Sequence, residues 1–226
     1  VVVVDERDGK AALELGKVGR GARLIDLGSG DGRIVIAAAE RGAEALGVEL
    51  DPSLVMKARR AAERAGVEQR ARFIEGDLFA QDLSTATVVT LYLFPDANLA
   101  LRPKLLRELS PGTRIVSNSF DLGAWKPDAH IQAASSGGLL LWIVPAQLGG
   151  AWCTARGERF QFEQSYQEVR LRKVPPSLGM GASWEGRLRG SKLISDGTEG
   201  RLSGRLEGAK LILQASGAAS VKATRC

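Results

Sequence analysis

RLIDLGSGDGRIVIAAAE, residues 23–40, is the stretch on which the fold turns. Arg23 to Leu27 is a short apolar run of strand length, Gly28-Ser29-Gly30-Asp31-Gly32 breaks it, and an Ala-rich helix follows from Arg33 to about Arg41. A glycine-rich turn between strand and helix lets the backbone approach a ligand closely and sets a helix N-terminus against it. Dehydrogenases use the same device, so the turn alone selects no ligand. Its spacing says more: Gly28-x-Gly30-x-Gly32 is not the G-x-G-x-x-G run that receives a pyrophosphate.

Outward from this stretch the alternation continues. Ala45 to Glu49 reads as a second strand, Pro52 stands where a first helical residue would, and the helix runs to Ala65 with Gly66 as its stop. Ala71 to Ile74 gives a third strand, and Ala86 to Phe94, rich in Val, Thr and Tyr, a fourth that Pro95 ends. Over 97–109, Leu99, Leu101, Leu105, Leu106 and Leu109 keep a helical period, which requires Pro103 to lie in an early turn or at a kink. Arg114 to Ser119 is a fifth strand, and Ile131 to Ala134 and Leu139 to Val144 are strands that could finish the same sheet. The alternation implies a mostly parallel sheet covered on both faces.

After Pro127 the helices stop, and from Gly149 glycines punctuate short strands. The run 186–194, GRLRGSKLI, recurs eighteen positions later at 204–212 as GRLEGAKLI. Each copy reads as two strands around a tight turn at Gly190-Ser191 or Gly208-Ala209, predicting a small antiparallel sheet or barrel.

The acids at the strand ends suggest a ligand. Asp26 lies two residues before the first glycine, where a carboxylate suits the amino group of a methionine moiety, directly or through water. Glu49 ends the second strand, where an acid accepts hydrogen bonds from both ribose hydroxyls, and Asp77, in Glu75-Gly76-Asp77-Leu78, is placed to accept the exocyclic amine of adenine. An acid at a strand end is commonly only a loop cap, so the weight rests on the combination and its order.

These stretches, Leu24 to Ala39 and Gly47 to Pro52, resemble class I S-adenosylmethionine-dependent methyltransferases. Thr87 to Pro95, Leu101 to Leu106, Pro111 to Ser117, Phe120 to Trp125 and Leu141 to Pro145 narrow the resemblance to bacterial relatives of the ATP synthase c-subunit lysine methyltransferase family. It implies an α/β fold with a Rossmann-like seven-stranded sheet over residues 1–147 that binds S-adenosyl-L-methionine, and leaves 148–226 as a small antiparallel β accessory domain. By the resemblance, Asp26, Gly28, Ser29, Gly30 and Gly32 form the methionine-side loop. Glu49 with Leu50 serves the ribose, Asp77 and Leu78 flank the adenine, and Leu93 borders the methyl group. Val1 to Lys10 does not match the family's Val-Pro-Thr-Pro-like entry.

Methyl transfer from a sulfonium is an in-line displacement with an activated donor, so neither a Ser-His-Asp set nor a metal is expected. The fourth strand ends Leu93-Phe94-Pro95 instead of with the Asn/Asp-Pro-Pro-Tyr/Phe motif used on planar amines, and both cysteines lie outside the methyltransferase portion. A lysine amine of a protein is left as the leading acceptor, mainly by the resemblance. A small molecule enclosed by the β module, through Trp142, Trp152, Phe160, Phe162, Tyr166 and Trp184, is the alternative, and a non-catalytic cofactor-binding module is a third. Tyr92, Asp96, Asn98 and Asp121 are the acceptor-side candidates; each would serve equally as a turn or cap residue. The single histidine, His130, is expected at the surface.

Composition adds bounds. The longest uncharged apolar run, from Leu139, is far shorter than the roughly 20 residues a membrane helix needs. Val1 to Val4 meets Asp5, Glu6, Arg7 and Asp8 at once and reads as neither leader nor anchor. Cys153 and Cys226 lack metal or CxxC spacing, which fits a reducing, cytoplasmic setting. The net charge of +5 arises wholly after residue 147. Its Arg and Lys residues are spaced singly, favouring an evenly solvated surface over a nucleic-acid footprint.

Overall fold

In the computed structural model, which describes residues 5–134, 137–172, 183–195, 202–215 and 219–226, the short apolar runs become strands. These are β1 (Arg23–Leu27), β2 (Glu44–Glu49), β3 (Ala71–Glu75), β4 (Val88–Leu91) and β5 (Arg114–Asn118), followed by β6 (Ala129–Ile131) and β7 (Leu139–Ile143). They form one sheet in the order β3-β2-β1-β4-β5-β7-β6, parallel through β5, with β7 antiparallel to both its neighbours. This is the Rossmann-like seven-stranded sheet that the resemblance implies. The sixth strand sits two residues earlier than its sequence pattern suggested, and 132–134 are not strand. Val1 to Val4, and the reading of them as neither leader nor anchor, lie outside the described residues.

Among the described residues four helices accompany the sheet: α1 (Glu6–Leu15), α2 (Arg33–Glu40), α3 (Pro52–Arg64) and α4 (Pro95–Glu108). The cause of α3 is local, since Asp51 accepts from the Ser53 N–H at 2.8 Å and Pro52 fixes φ at the first position. Helix α1 was not read from the sequence, although Asp5 caps it in the same manner through the Arg7 N–H. Pro103 lies well inside α4, neither in its first turn nor at its end. The residue is exposed, so the ring is not forced into the packed core.

One sheet face packs Leu24, Ala45, Phe73, Val88 and Val116 against Ala12 and Leu13 of α1, Ile34 and Val35 of α2 and Val55 and Ala58 of α3. Strand alternation turns Ile25, Leu27, Val89, Leu91 and Ile115 to the other face. These too are buried, as are Leu101 and Leu105 of α4 and the loop residues Leu83, Leu122 and Trp125. The connections 76–87 and 119–128 carry no helix.

The chain divides into two compact units at Ile143/Val144. In the second, β8 (Gly150–Thr154), β9 (Arg159–Ser165), β10 (Glu168–Leu171), β11 (Trp184–Arg189), β12 (Lys192–Ser195), β13 (Leu202–Glu207), β14 (Lys210–Ala215) and β15 (Val221–Arg225) close into a barrel, with β15 pairing β8. The repeat supplies two of its hairpins. Arg189 pairs Lys192 and Glu207 pairs Lys210, leaving two-residue turns at Gly190-Ser191 and Gly208-Ala209 in which both glycines take positive φ. Alternate residues fill the interior: Trp152, Phe160, Phe162, Trp184, Leu188, Leu193, Leu211 and Leu213 are all buried.

Two expectations change here. Cys153 and Cys226 are joined by a disulfide across 73 residues, because the pairing of β15 with β8 brings the chain end alongside Ala151 and Trp152. That withdraws the cysteine argument for a reducing compartment. Five of the six aromatic residues offered as an enclosure for a small acceptor are spent on packing: Trp152, Phe160, Phe162 and Trp184 form the barrel core, and Trp142 lies buried in β7 with its indole N–H donating to the Trp125 carbonyl, while Tyr166 is half-buried. Among the described residues, no helix is long and apolar enough to cross a membrane.

Candidate cofactor and active site

Parallel register brings the site residues together. Asp26 of β1 lies between Gly47 of β2 and Thr90 of β4, so the Thr90 hydroxyl donates to the Asp26 carboxylate at 2.6 Å. Gly47 is needed there, since a Cβ would stand 2.5 Å from Ser29 Oγ and 2.7 Å from Phe73. After β1 the chain turns through Gly28, Gly30 and Gly32, all at positive φ, where a side chain would be strained. A Cβ on Gly28 would meet Leu93 at 2.7 Å, while beside Gly30 there is open space.

Glu49, at the end of β2, folds its carboxylate back onto this turn. One oxygen accepts from the Gly30 N–H at 2.8 Å, and the other from the Leu50 and Asp51 N–H groups at 2.9 and 3.1 Å. Asp77 accepts from the Phe79 N–H at 2.9 Å and so fixes the loop after β3. Between these loops lies a cavity of about 510 Å³ lined by Gly28, Glu49, Leu50, Asp77, Leu78 and Leu93, among others. Its size suits a nucleoside-bearing ligand. A larger hollow of about 650 Å³ is lined mostly by α1, α2 and α3, through Glu6, Lys10, Arg33, Lys57 and Arg64, and touches the turn after β1 only at Asp31. In an open parallel sheet those ends are where ligands bind, which singles out the smaller cavity.

The electrostatics are those of a buried acid waiting for a cation. Asp26 is 2% exposed, and burial, then the Glu49 charge, push its carboxyl up to about 7 against the lowering bond from Thr90. A cationic group placed beside it would relieve both penalties. Tyr92 lines the cavity, and burial followed by the Asp26 and Asp8 charges raises its hydroxyl far above the neutral range, so it holds its proton. The other acceptor-side candidates lie elsewhere. Asn98 spends its amide on Ser117 and the Phe120 carbonyl, Asp121 accepts from the Gly123 N–H, and Asp96 is exposed in the first turn of α4. His130 is exposed, as expected.

The model of the ANTKMT methyltransferase domain matches residues 26–129. A protein-lysine N-methyltransferase of Saccharolobus islandicus is 41% identical over 133 residues, 58% of this chain and 83% of that protein. The chain belongs to the ANTKMT methyltransferase family. It is an S-adenosylmethionine-dependent methyltransferase. A Salinibacter ruber protein described as an RNA methyltransferase, solved with S-adenosyl-L-homocysteine, superposes with a TM-score of 0.63 at 47% identity, covering 65% of this chain and 96% of that one. The human ATP synthase c-subunit lysine N-methyltransferase is 43% identical over 109 residues, and the chain spans about half of its length.

In this methyltransferase four residues at or beside the site escaped the sequence reading. Thr90 was legible only as a strand residue, and its role needs the register of β4 against β1. Asp8 is 1% exposed on α1 and accepts from the Ala134 N–H at 2.7 Å, a contact spanning 126 residues that no local signal announces. Phe79 and Phe94 stand exposed at the cavity rim; the Phe94-Pro95 step that ends the fourth strand pattern was the available signal.

Proposed function

We propose that this methyltransferase N-methylates lysine side chains of a protein substrate. In this reading residues 1–147 are the catalytic domain and 148–226 an accessory module. The cofactor lies with its methionine end against Asp26, Gly28, Ser29, Gly30 and Gly32, its ribose on Glu49 and Leu50, its base against Asp77 and Leu78, and Leu93 beside the reacting centre. Bound there, it supplies a methyl group on a positively charged sulfur, open to in-line displacement by an amine lone pair.

The observation that carries the acceptor class is the apolar rim. Phe79, Leu93 and Phe94 flank the cavity mouth, and Phe94 is 63% exposed. Such a rim accepts the four methylenes of a lysine and strips water from its amine, which lowers the amine pKa and frees the lone pair. Tyr92 keeps its own proton and so shapes the pocket without removing one. The lysine methyltransferases of Saccharolobus islandicus and human, similar to this chain, support the same class.

The test is incubation with methyl-labelled S-adenosylmethionine and cell lysate. Label should enter protein, be released by trypsin and appear as methyl-lysine on mass analysis. Label released by ribonuclease, the reading suggested by the Salinibacter ruber relative, or found only in small molecules, overturns it. A cytoplasmic setting belongs to the same proposal and stands against the Cys153–Cys226 disulfide; thiol trapping inside cells tests it, free Cys153 and Cys226 supporting it and an intact disulfide overturning it.

A further inference from the structure

Cations that are far apart in the chain meet on the outer wall of the barrel. Arg189 of β11 pairs Lys192 of β12, Lys192 pairs Arg205 of β13, Arg205 pairs Ile212 of β14, and Ile212 pairs Lys222 of β15. Residues paired across strands point to the same side, and the buried neighbours Leu188, Leu193, Leu206, Leu211 and Ala223 occupy or flank the interior, so this row points outward. At about 4.8 Å between strands, the five positions span roughly 20 Å along the wall. Lys210 extends the row on β14.

Charge on this wall is unbalanced among the described residues. On β11 the outward Glu185 and Arg187 are paired to β10; from Arg189 through β12–β15 the one acid among the described residues is Glu207, which pairs with Arg205, and Arg189, Lys192, Lys210 and Lys222 are exposed without an ion pair. Beside the row, over β9, β10 and the first part of β11, the opposite holds: Arg172 pairs with Glu163, Arg170 with Glu185 and Arg187 with Glu168. Like charges directly opposite one another on adjacent strands destabilise a sheet, so the row has a cost that an anion would remove.

We propose that the β11–β15 wall of the barrel binds the phosphate backbone of a nucleic acid. The wall presents fixed cations along a line, as a chain of phosphates does, and every barrel aromatic in it or beside it is buried, which leaves no platform for stacking bases. Binding is therefore read through phosphate alone, independent of sequence and steep in salt. The repeat is the source of the row, because each copy delivers a cation beside its turn on strands that pairing then brings together.

The experiment is fluorescence anisotropy of the full chain with a labelled 20-nucleotide poly(U) RNA and the matching DNA strand, across a salt series. Both should bind, with log affinity falling linearly in log salt. Lys192→Ala with Lys222→Ala should weaken both ligands equally and lower the slope by about 0.7 for each phosphate contact removed. Arg170→Ala with Arg172→Ala, on the balanced wall, should leave the slope unchanged, and these exposed substitutions are checked for an unaltered melt. No binding, binding that the Lys192 and Lys222 substitutions leave intact, or preference for poly-glutamate or anionic vesicles over RNA overturns the proposal.

Discussion

Asp26→Asn separates stability from binding. The carboxyl of Asp26 rises from 3.8 to about 7 on folding, because burial opposes its charge. Between pH 4 and 7 the folded chain therefore holds a proton that the unfolded chain has released, so stability falls as pH rises through that window and the loss is complete above it. At about 1.4 kcal/mol per unit, the penalty reaches roughly 4 kcal/mol. An amide at position 26 never ionises and still accepts from Thr90, though a bond to a neutral acceptor is weaker by about 1 kcal/mol. The variant should gain about 3 kcal/mol over the parent at pH 8, or roughly 6 to 12 °C in melting temperature for a chain of this size. At pH 4 the advantage should vanish. Calorimetric melts at pH 4, 6 and 8 measure it, and titration with S-adenosylhomocysteine supplies the other half: affinity should strengthen from pH 6 to 8 in the parent and stay flat in the variant. An advantage equal at pH 4 and pH 8, or absent at both, would refute the reasoning.

Other perturbations probe the remaining parts. Glu49→Ala frees the N–H groups of Gly30, Leu50 and Asp51 and should weaken S-adenosylhomocysteine binding by at least about tenfold, at roughly 1.4 kcal/mol or more, while NAD should not bind either protein. Gly28→Ala places a Cβ 2.7 Å from Leu93 in a left-handed turn, and should cost about 1–2 kcal/mol of stability together with cofactor binding read by the same titration. Cys226→Ser opens a loop of 73 residues and should lower barrel stability by about 4 kcal/mol in a melt, matching the effect of a reductant on the parent.

What the sequence showed of the methyltransferase sheet, it showed through local signals. The turn Gly28 to Gly32, Pro52 behind Asp51 and Gly66 after α3 each act within a few residues, and parallel βαβ units build a sheet from such neighbours. The cavity was legible for the same reason, since Gly28, Glu49, Asp77 and Leu93 each stand at or just after a strand end. Distant partners were not legible. The Asp26 to Thr90 bond, the Asp8 contact with Ala134 and the Cys153 to Cys226 bond all depend on register between segments the chain itself does not compare. Helix α4 shows a different limit: its pattern carries a proline well inside the helix, at an exposed position, and exposure cannot be read from spacing. The barrel cations combine both problems, appearing scattered in sequence and aligned only once strands pair.

Because β15 hydrogen-bonds to β8, the described strands of the second unit form a ring with no first or last member. An open sheet displays a row of unsatisfied amides and carbonyls to which another molecule's strand can add, and closure leaves none. Crowded copies of this module are therefore barred from zipping together edge to edge, so it stays available as an individual wall even at high local concentration.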